Sequence, residues 1–214
     1  MPSWMFVFGI FAIFLTGFWS VGSLAVSHYV YDRSKLYQLS WLDSLLDQPP
    51  TNWINVHAGL DESSIFLRAY FPATNFQILD IYDPAIMTEP AIERARNSTE
   101  PELKSISCDF RHLPISNESC EVVFVFFAAH ELRNAESRIS FFREAYRILN
   151  ADGTMIIVEH LRDVPNFLAF GPGFLHFLKY SDWMNAAKFS NFRTTEEIKI
   201  TSFVSAFKFS KSWR

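Results

Sequence analysis

The sequence predicts an α/β protein, a doubly wound sheet carried behind an N-terminal membrane-spanning helix. Three observations predict it. Trp4 to Val26 contains no charged residue. From Asn52 onward, apolar β-prone runs alternate with segments of helical spacing. The stretch NWINVHAGLDESSIFLRAYFPATNFQILDIYDP, Asn52 to Pro84, reads strand, tight turn, helix and strand, and ends in acidic residues. That is the opening βαβ unit of a doubly wound sheet of the nucleotide-binding kind.

The chain has 214 residues, room for one ordinary domain plus an appendage. It is 49% hydrophobic and 17% aromatic, with 23 Phe and only 7 Gly, and part of that Phe excess lies in the first segment. A bilayer core of ~30 Å needs about 20 apolar residues, and Trp4 to Val26 supplies them. Trp4, Trp19, Tyr29 and Tyr31 sit near its ends, where amphipathic rings favour the interface. Ser23-Leu24-Ala25 resembles a signal-peptide cleavage site, but no Lys or Arg precedes the run and the run is longer than a usual signal core. An uncleaved anchor is expected over residues 1–28, with a buried or interfacial helix and a signal peptide as alternatives. Arg33 and Lys35 follow the span, so the positive-inside rule puts the C-terminal domain in the cytoplasm of a single-pass membrane protein.

Net charge is −4 and the isoelectric point about 5.9. Phosphate binding needs a basic surface, so no nucleic-acid partner is expected. Cys108 and Cys120 form neither a disulfide framework nor a metal motif and fit a reducing compartment.

Residues 29–50 are read as a juxtamembrane helix and linker. Leu36, Leu39, Leu42, Leu45 and Leu46 give Asp32 to Leu46 one apolar face, and Gln48-Pro49-Pro50 ends it. Residues 51–214 form the domain. Ile54 and Val56 mark its first strand, Ala58-Gly59 its turn, and Asp61 can cap a helix over Glu62 to Phe71. Phe76 to Ile81 is the second strand. Pro84 opens a helix to Asn97, Ser105 to Asp109 is a short strand, and EVVFVFF, Glu121 to Phe127, is apolar enough for a strand covered on both faces. Asn134 caps a helix to Leu149 with a stripe of Ile139, Phe142, Tyr146 and Leu149. Asp152-Gly153 turns into the strand Thr154 to Val158. Phe167 to Tyr180 is aromatic and broken by Gly171-Pro172-Gly173; Ser181 caps a helix to Phe189. Glu197 to Thr201 and Ser205 to Phe209 read as a terminal antiparallel pair.

The order Asp109, HLP at His112 to Pro114, the strand EVVFVFF, AAHEL, a helix ending FFREAYRILN, ADG and TMIIVEH resembles the class I S-adenosylmethionine (SAM) dependent methyltransferases, of the quinone-biosynthesis type. The resemblance covers about Asn52 to Phe209. It implies a Rossmann-like doubly wound seven-stranded sheet with the last strand antiparallel, and SAM as cofactor. His57 to Asp61 would then be the turn that approaches the methionine part, with Gly59 beside it. Asp80 would bind the ribose hydroxyls, which a carboxylate past a strand end does well. Asp109 with Phe110 would contact adenine, and Phe127 to His130 would lie beside methionine and substrate. The turn departs from the family: only Gly59 stands where several glycines usually admit the backbone close to a ligand, and Asn55 stands where an acid is usual.

In such a sheet His57, His130 and the pair Glu159-His160 end three adjacent strands, with Asp61 and Glu131 one turn away. This concentrates general acid/base groups, His130 or His57 as base, or mixed ligands for a divalent metal, though no metal ligand set is assigned. The Phe-rich segment is expected above the crevice as an apolar lid, with His176 at an interface. Three readings follow. One is a membrane-anchored methyltransferase-like protein acting on an apolar or quinone-like small molecule from the bilayer. The second is a catalytically silent subunit among other membrane subunits. The third is a metal-assisted quinone-modifying enzyme.

Overall fold

The computed structural model describes residues 3–98 and 103–211. The expected anchor's Met1 and Pro2, and the expected domain's residues 212–214, lie outside the described residues. Among the described residues, seven strands form one sheet in the order β3-β2-β1-β4-β5-β7-β6: β1 (Asn52–His57), β2 (Asn75–Asp80), β3 (Ile106–Ser107), β4 (Cys120–Phe126), β5 (Leu149–His160), β6 (Thr194–Lys199) and β7 (Val204–Ser210). β1 pairs in parallel with β2 and β4, and β4 with β5. β7 runs antiparallel between β5 and β6. The expected architecture, including its reversed last strand, is present.

Alternate residues of the strands feed two cores. Ile54, Val56, Val123, Val125, Met155 and Ile157 join Phe141, Phe142 and Ala145 of α4 (Ala135–Ile148) and Trp183 of α6 (Tyr180–Phe189). Trp53, Phe124, Phe126, Ile156 and Val158 face the other way and meet Leu67 of α2 (Ser64–Tyr70). That second face is completed by Val30, Leu36, Leu39, Leu42 and Leu45, all buried. The segment after the apolar helix thus packs on the domain, but not as the continuous helix expected over Asp32 to Leu46. A π-helical turn ends at Arg33, Leu39 has φ 60°, and a 3-10 turn covers Ser40–Ser44. Ser34 explains the break: its hydroxyl donates to the Val30 carbonyl and accepts from Leu36 N–H, local bonds that compete with the helix ladder.

Other boundaries shift for local reasons. α3 starts at Pro90 and runs to Ser98, because Asp83 first turns the chain: its side chain accepts from Ala85 N–H and its carbonyl from Met87 N–H. Asn134 caps α4 as expected, accepting from Glu136 N–H, yet the buried stripe is Phe141, Phe142, Ala145 and Ile148, rotated from the predicted one. Asp182 rather than Ser181 ties the start of α6, accepting from Lys179 N–H.

α1 (Ser3–Ser27) continues into the π-helical turn, giving an apolar helix over Trp4–Arg33 long enough to cross a bilayer. Phe6, Val7, Phe8, Ile13, Phe14, Val21 and Leu24 are exposed. Its C-terminal half touches α5 (Val164–Phe170) and the following 3-10 turn Gly171–His176. Trp19 meets Phe167 edge-on at 5.9 Å, and the Trp19 ring lies where a Cβ on Gly171 would stand, 2.4 Å away.

Candidate functional site at the carboxyl ends of the strands

The chain order reverses across β1 and β4, and the crevice that this opens lies at the carboxyl ends of the strands. Four expected groups gather there: His57 closes β1, Asp80 closes β2, Glu159 and His160 close β5, and His130 sits in the 3-10 turn Ala129–Glu131 after β4. Phe127, between β4 and that turn, has φ 47°, a conformation rare for an aromatic residue and characteristic of functional corners.

The β1–α2 turn is held shut by its own side chains. Buried Asn55 donates to Asp61, Ser63 and Ser64 at 3.2, 2.9 and 2.7 Å. Asp61 accepts from Ser63 and Ser64 N–H, but the helix starts at Ser64 with Ser63 at its N-cap, not at Glu62 as expected, because these bonds hold residues 61–63 in a turn ahead of it. Gly59, at φ 97°, donates its N–H to Asp80 at 2.9 Å. Asp80 is buried; the same oxygen also accepts from Tyr82 N–H. Its second oxygen is taken by the Arg96 guanidinium of α3. Arg96 lies 4.5 Å over the Tyr82 ring, and Ile92 stands where a Gly59 Cβ would be, at 2.6 Å. α3 therefore covers both Gly59 and Asp80. His57 lies beneath, its Nδ1 3.7 Å from Asp80 and both ring nitrogens buried without a hydrogen-bond partner. Burial lowers its pKa below the ordinary 6.5 although Asp80 and Asp61 pull upward, so the ring is neutral.

His130 is the electrostatic opposite. Its Nδ1 meets Glu159 at 2.8 Å and its Nε2 meets Glu131 at 3.0 Å. Burial alone would lower its pKa; Glu159 and Glu131 outweigh burial and raise it to about 10. Burial pushes Glu131 up, but His130, Arg133 and His176 hold it below the ordinary carboxylate range. His176 is no bystander at an interface: its ring stands edge-on to His130 at 5.3 Å, and Arg133 grips its ring and its carbonyl. The Phe-rich segment thus docks on the rim, as expected for a lid.

His160 leaves the polar set. Its Nδ1–H donates to the Phe203 carbonyl at 2.9 Å, which leaves Nε2 to accept from the Tyr31 hydroxyl at 3.1 Å. Phe177 stacks on it at 4.8 Å, with Phe127 and Phe170 around it. Burial lowers its pKa. This aromatic cluster ties the end of the apolar helix to the end of β5, so helix and crevice share one edge of the sheet.

Residues 71–157 match the methyltransferase domain family. No curated protein matches the chain. Among solved structures, a SAM-dependent methyltransferase from Aquifex aeolicus is 13% identical with a TM-score of 0.59, over 85% of this chain and 94% of that one. A possible histamine N-methyltransferase from Thermotoga maritima is 13% identical with a TM-score of 0.57, over 90% and 96%. Human N-acetylserotonin methyltransferase, solved in complex with SAM, gives 13% and 0.57 over 77% of this chain, which spans about half of it, 48%. The chain has the class I SAM-dependent methyltransferase fold.

Within that methyltransferase fold, the residues can be tested against SAM. An acceptor carboxylate at the end of β2, a backbone pinned at Gly59 and an orphaned buried imidazole at His57 suit a polar ligand. Space does not yet suit it. The cavity lined by Ala58, Leu60, Glu62, Ile92, Phe127 and Glu131 holds about 120 Å³, against roughly 300–1,000 Å³ for ligand pockets of such size. The fit therefore requires α3 to leave Gly59 and Asp80. Asp109 is at the rim but turned into its own loop, accepting from Arg111 N–H at 2.8 Å. Phe110 departs from the expectation that it flanks adenine. It is buried in the core with Arg111 4.5 Å over its ring, because the apolar ring gains more from the core than from the rim.

Sequence reasoning missed Arg96 and Arg133 and undervalued His176. Their only sequence signal was a cation within reach of an acidic rim, and reach is set by how α3 and the lid fold back.

Proposed function

We propose that this is a membrane-anchored, SAM-dependent methyltransferase-like protein whose acceptor is an apolar, quinone-like small molecule drawn from the bilayer. One observation carries the reading: the exposed apolar helix α1 and the crevice lie on the same edge of the sheet, joined by the Tyr31–His160 bond and the Trp19–Phe167 contact. Val164, Leu168 and Leu175 of the lid segment, exposed at 70%, 62% and 57%, extend the apolar surface of α1 toward that crevice. A bilayer covering α1 would cover them too, which gives an apolar acceptor a dry path to the strand ends. Arg33 and Lys35 beyond the span favour a cytoplasmic domain; protease protection in sealed vesicles reads that orientation, and a protected domain would refute it.

SAM, when bound, supplies an electrophilic methyl group. Asp80 is the residue to hold its ribose hydroxyls, and Gly59 N–H keeps that carboxylate oriented. Asp109 is the rim acid nearest the adenine end of the family's arrangement. His57 can accept a proton, since both its nitrogens are free; those of His130 are both engaged by carboxylates. Phe127 and the lid would exclude water, so that positioning does most of the catalytic work.

The cover of α3 over Asp80 favours a second reading, a methyltransferase fold that no longer binds SAM and serves a membrane assembly. Calorimetry of SAM with the full chain in detergent separates the two. The first reading expects binding that is lost in Asp80→Ala. Absence of binding in the wild-type chain, together with co-purifying membrane subunits, overturns it in favour of the second.

A further inference from the structure

We propose that His130, Glu131 and His176 form a binding site for one divalent first-row transition-metal ion. Their ligand atoms all lie within 4.8 Å of one another. His130 Nε2 is 3.0 Å and His176 Nε2 3.9 Å from the same Glu131 oxygen. Metal bonds of ~2.1 Å put neighbouring ligands about 3.0–3.5 Å apart, so small side-chain adjustments close the set. Two imidazoles and one carboxylate select Mn²⁺, Fe²⁺ or Zn²⁺ over Ca²⁺ or Mg²⁺, which prefer oxygen alone.

Two independent features point to a ligand. The first is Glu159, 1% exposed, which engages His130 twice, accepting from its backbone N–H at 3.2 Å and meeting Nδ1 at 2.8 Å. That arrangement fixes the ring and aims Nε2 at Glu131 and His176, as the carboxylate partner of a metal-bound histidine does. The second is Arg133. Its guanidinium sits against both ring nitrogens of His176 and 3.9 Å from Glu89. His176 lies 3.6 Å from the Glu89 carboxylate and 3.9 Å from that of Glu131, and Arg133 sits against its ring as a stand-in cation. A divalent ion would replace that charge, releasing Arg133 toward Glu89.

The position has a consequence for the fold. His130 and Glu131 follow β4, whereas His176 ends the lid turn, so one ion would staple the lid to the sheet. Glu131 also lines the 120 Å³ cavity, which puts an oxygen of a molecule held there within reach of the ion's remaining positions. The site does not depend on SAM binding.

The test uses Mn²⁺ alone. The full chain, purified in detergent and stripped with a chelator, is titrated while the EPR signal of free Mn²⁺ is followed. One equivalent is expected to bind. His130→Gln, Glu131→Gln and His176→Gln should each weaken binding at least tenfold. Glu159→Gln, which leaves all three ligands in place, should weaken it about 10–100-fold, and Arg133→Gln should tighten it. Circular dichroism in metal-free buffer establishes that each variant is folded; His176, on a partly exposed turn, is the substitution that leaves the core untouched. Failure of the wild-type chain to bind, or binding undiminished in His176→Gln, overturns the proposal. SAM calorimetry on the same samples keeps this outcome separate from that of the methyltransferase reading.

Discussion

On the proposed SAM-binding reading, replacing Arg96 by Ala should tighten SAM binding, because Arg96 ties α3 to Asp80. Three interactions are lost, of which a long 3.4 Å bond to the Gly59 carbonyl adds little and two set the magnitude. The ion pair to Asp80 joins a buried carboxylate to a guanidinium whose side chain is 35% exposed, so solvent screening limits it to ~1 kcal/mol. The stacking on Tyr82 at 4.5 Å adds about 0.5–1 kcal/mol. Asp80 keeps its bonds from Gly59 and Tyr82 N–H, so its orientation survives the change. Removing ~1.5–2 kcal/mol from the closed arrangement raises the binding-competent fraction roughly ten- to thirtyfold, and apparent Kd falls by the same factor. Calorimetry on the full chain in detergent measures it. An unchanged or weaker Kd would falsify the picture of α3 as a cover, since it would mean that Arg96 contributes to the ligand or that α3 is held by something else.

Gly171→Ala tests the junction of α1 with the turn after α5. Gly171 has φ 55°, ψ −138°, a glycine conformation, and its new Cβ would stand 2.4 Å from the Trp19 ring. Strain and overpacking together should cost about 2–3 kcal/mol, or a fall in Tm of roughly 4–12 °C for a chain of this size; an unshifted melting curve would contradict the Trp19 contact. Protonation of His160 gives a pH test. Its folded pKa lies below 6.5, so its contribution is complete above 6.5 and is lost as pH falls from 6.5 through the lowered folded value. His130 acts with opposite sign, its contribution being complete below 6.5 and lost as pH rises toward about 10. The readout is therefore a difference: between pH 7.5 and 5.5 the wild-type chain should lose more stability than His160→Gln, measured by denaturant melts, and an equal loss in both would count against a buried neutral ring.

Much of the fold was legible because it rests on local, periodic signals. The apolar run EVVFVFF reads as a strand covered on both faces, which holds up to Phe126, and Asn134 opens the helix it is expected to cap. The leucines of Leu36 to Leu45 announced burial correctly but not its geometry, since Ser34 and a left-handed Leu39 break the helix that their spacing suggests. The candidate site was half legible. His57, Asp80 and Glu159 end their strands, His130 lies in the turn just after β4, and strand ends converge by topology. Which partner each one meets was not legible. Neutral His57 and charged His130 are the same residue type on neighbouring strands' exits; burial without a partner, against burial between Glu159 and Glu131, separates them.

By itself the sequence determined the alternation of strands and helices, the apolar N-terminal helix and the set of polar residues on one rim, because each follows from neighbours along the chain. Only the tertiary structure decided that α3 folds back so that Arg96 meets Asp80 and Ile92 meets Gly59. It alone decided that His160 is enclosed by Tyr31, Phe170 and Phe177, and that His176 joins His130 and Glu131. These contacts link residues far apart in sequence, and their energies depend on burial and distance, which no periodicity encodes.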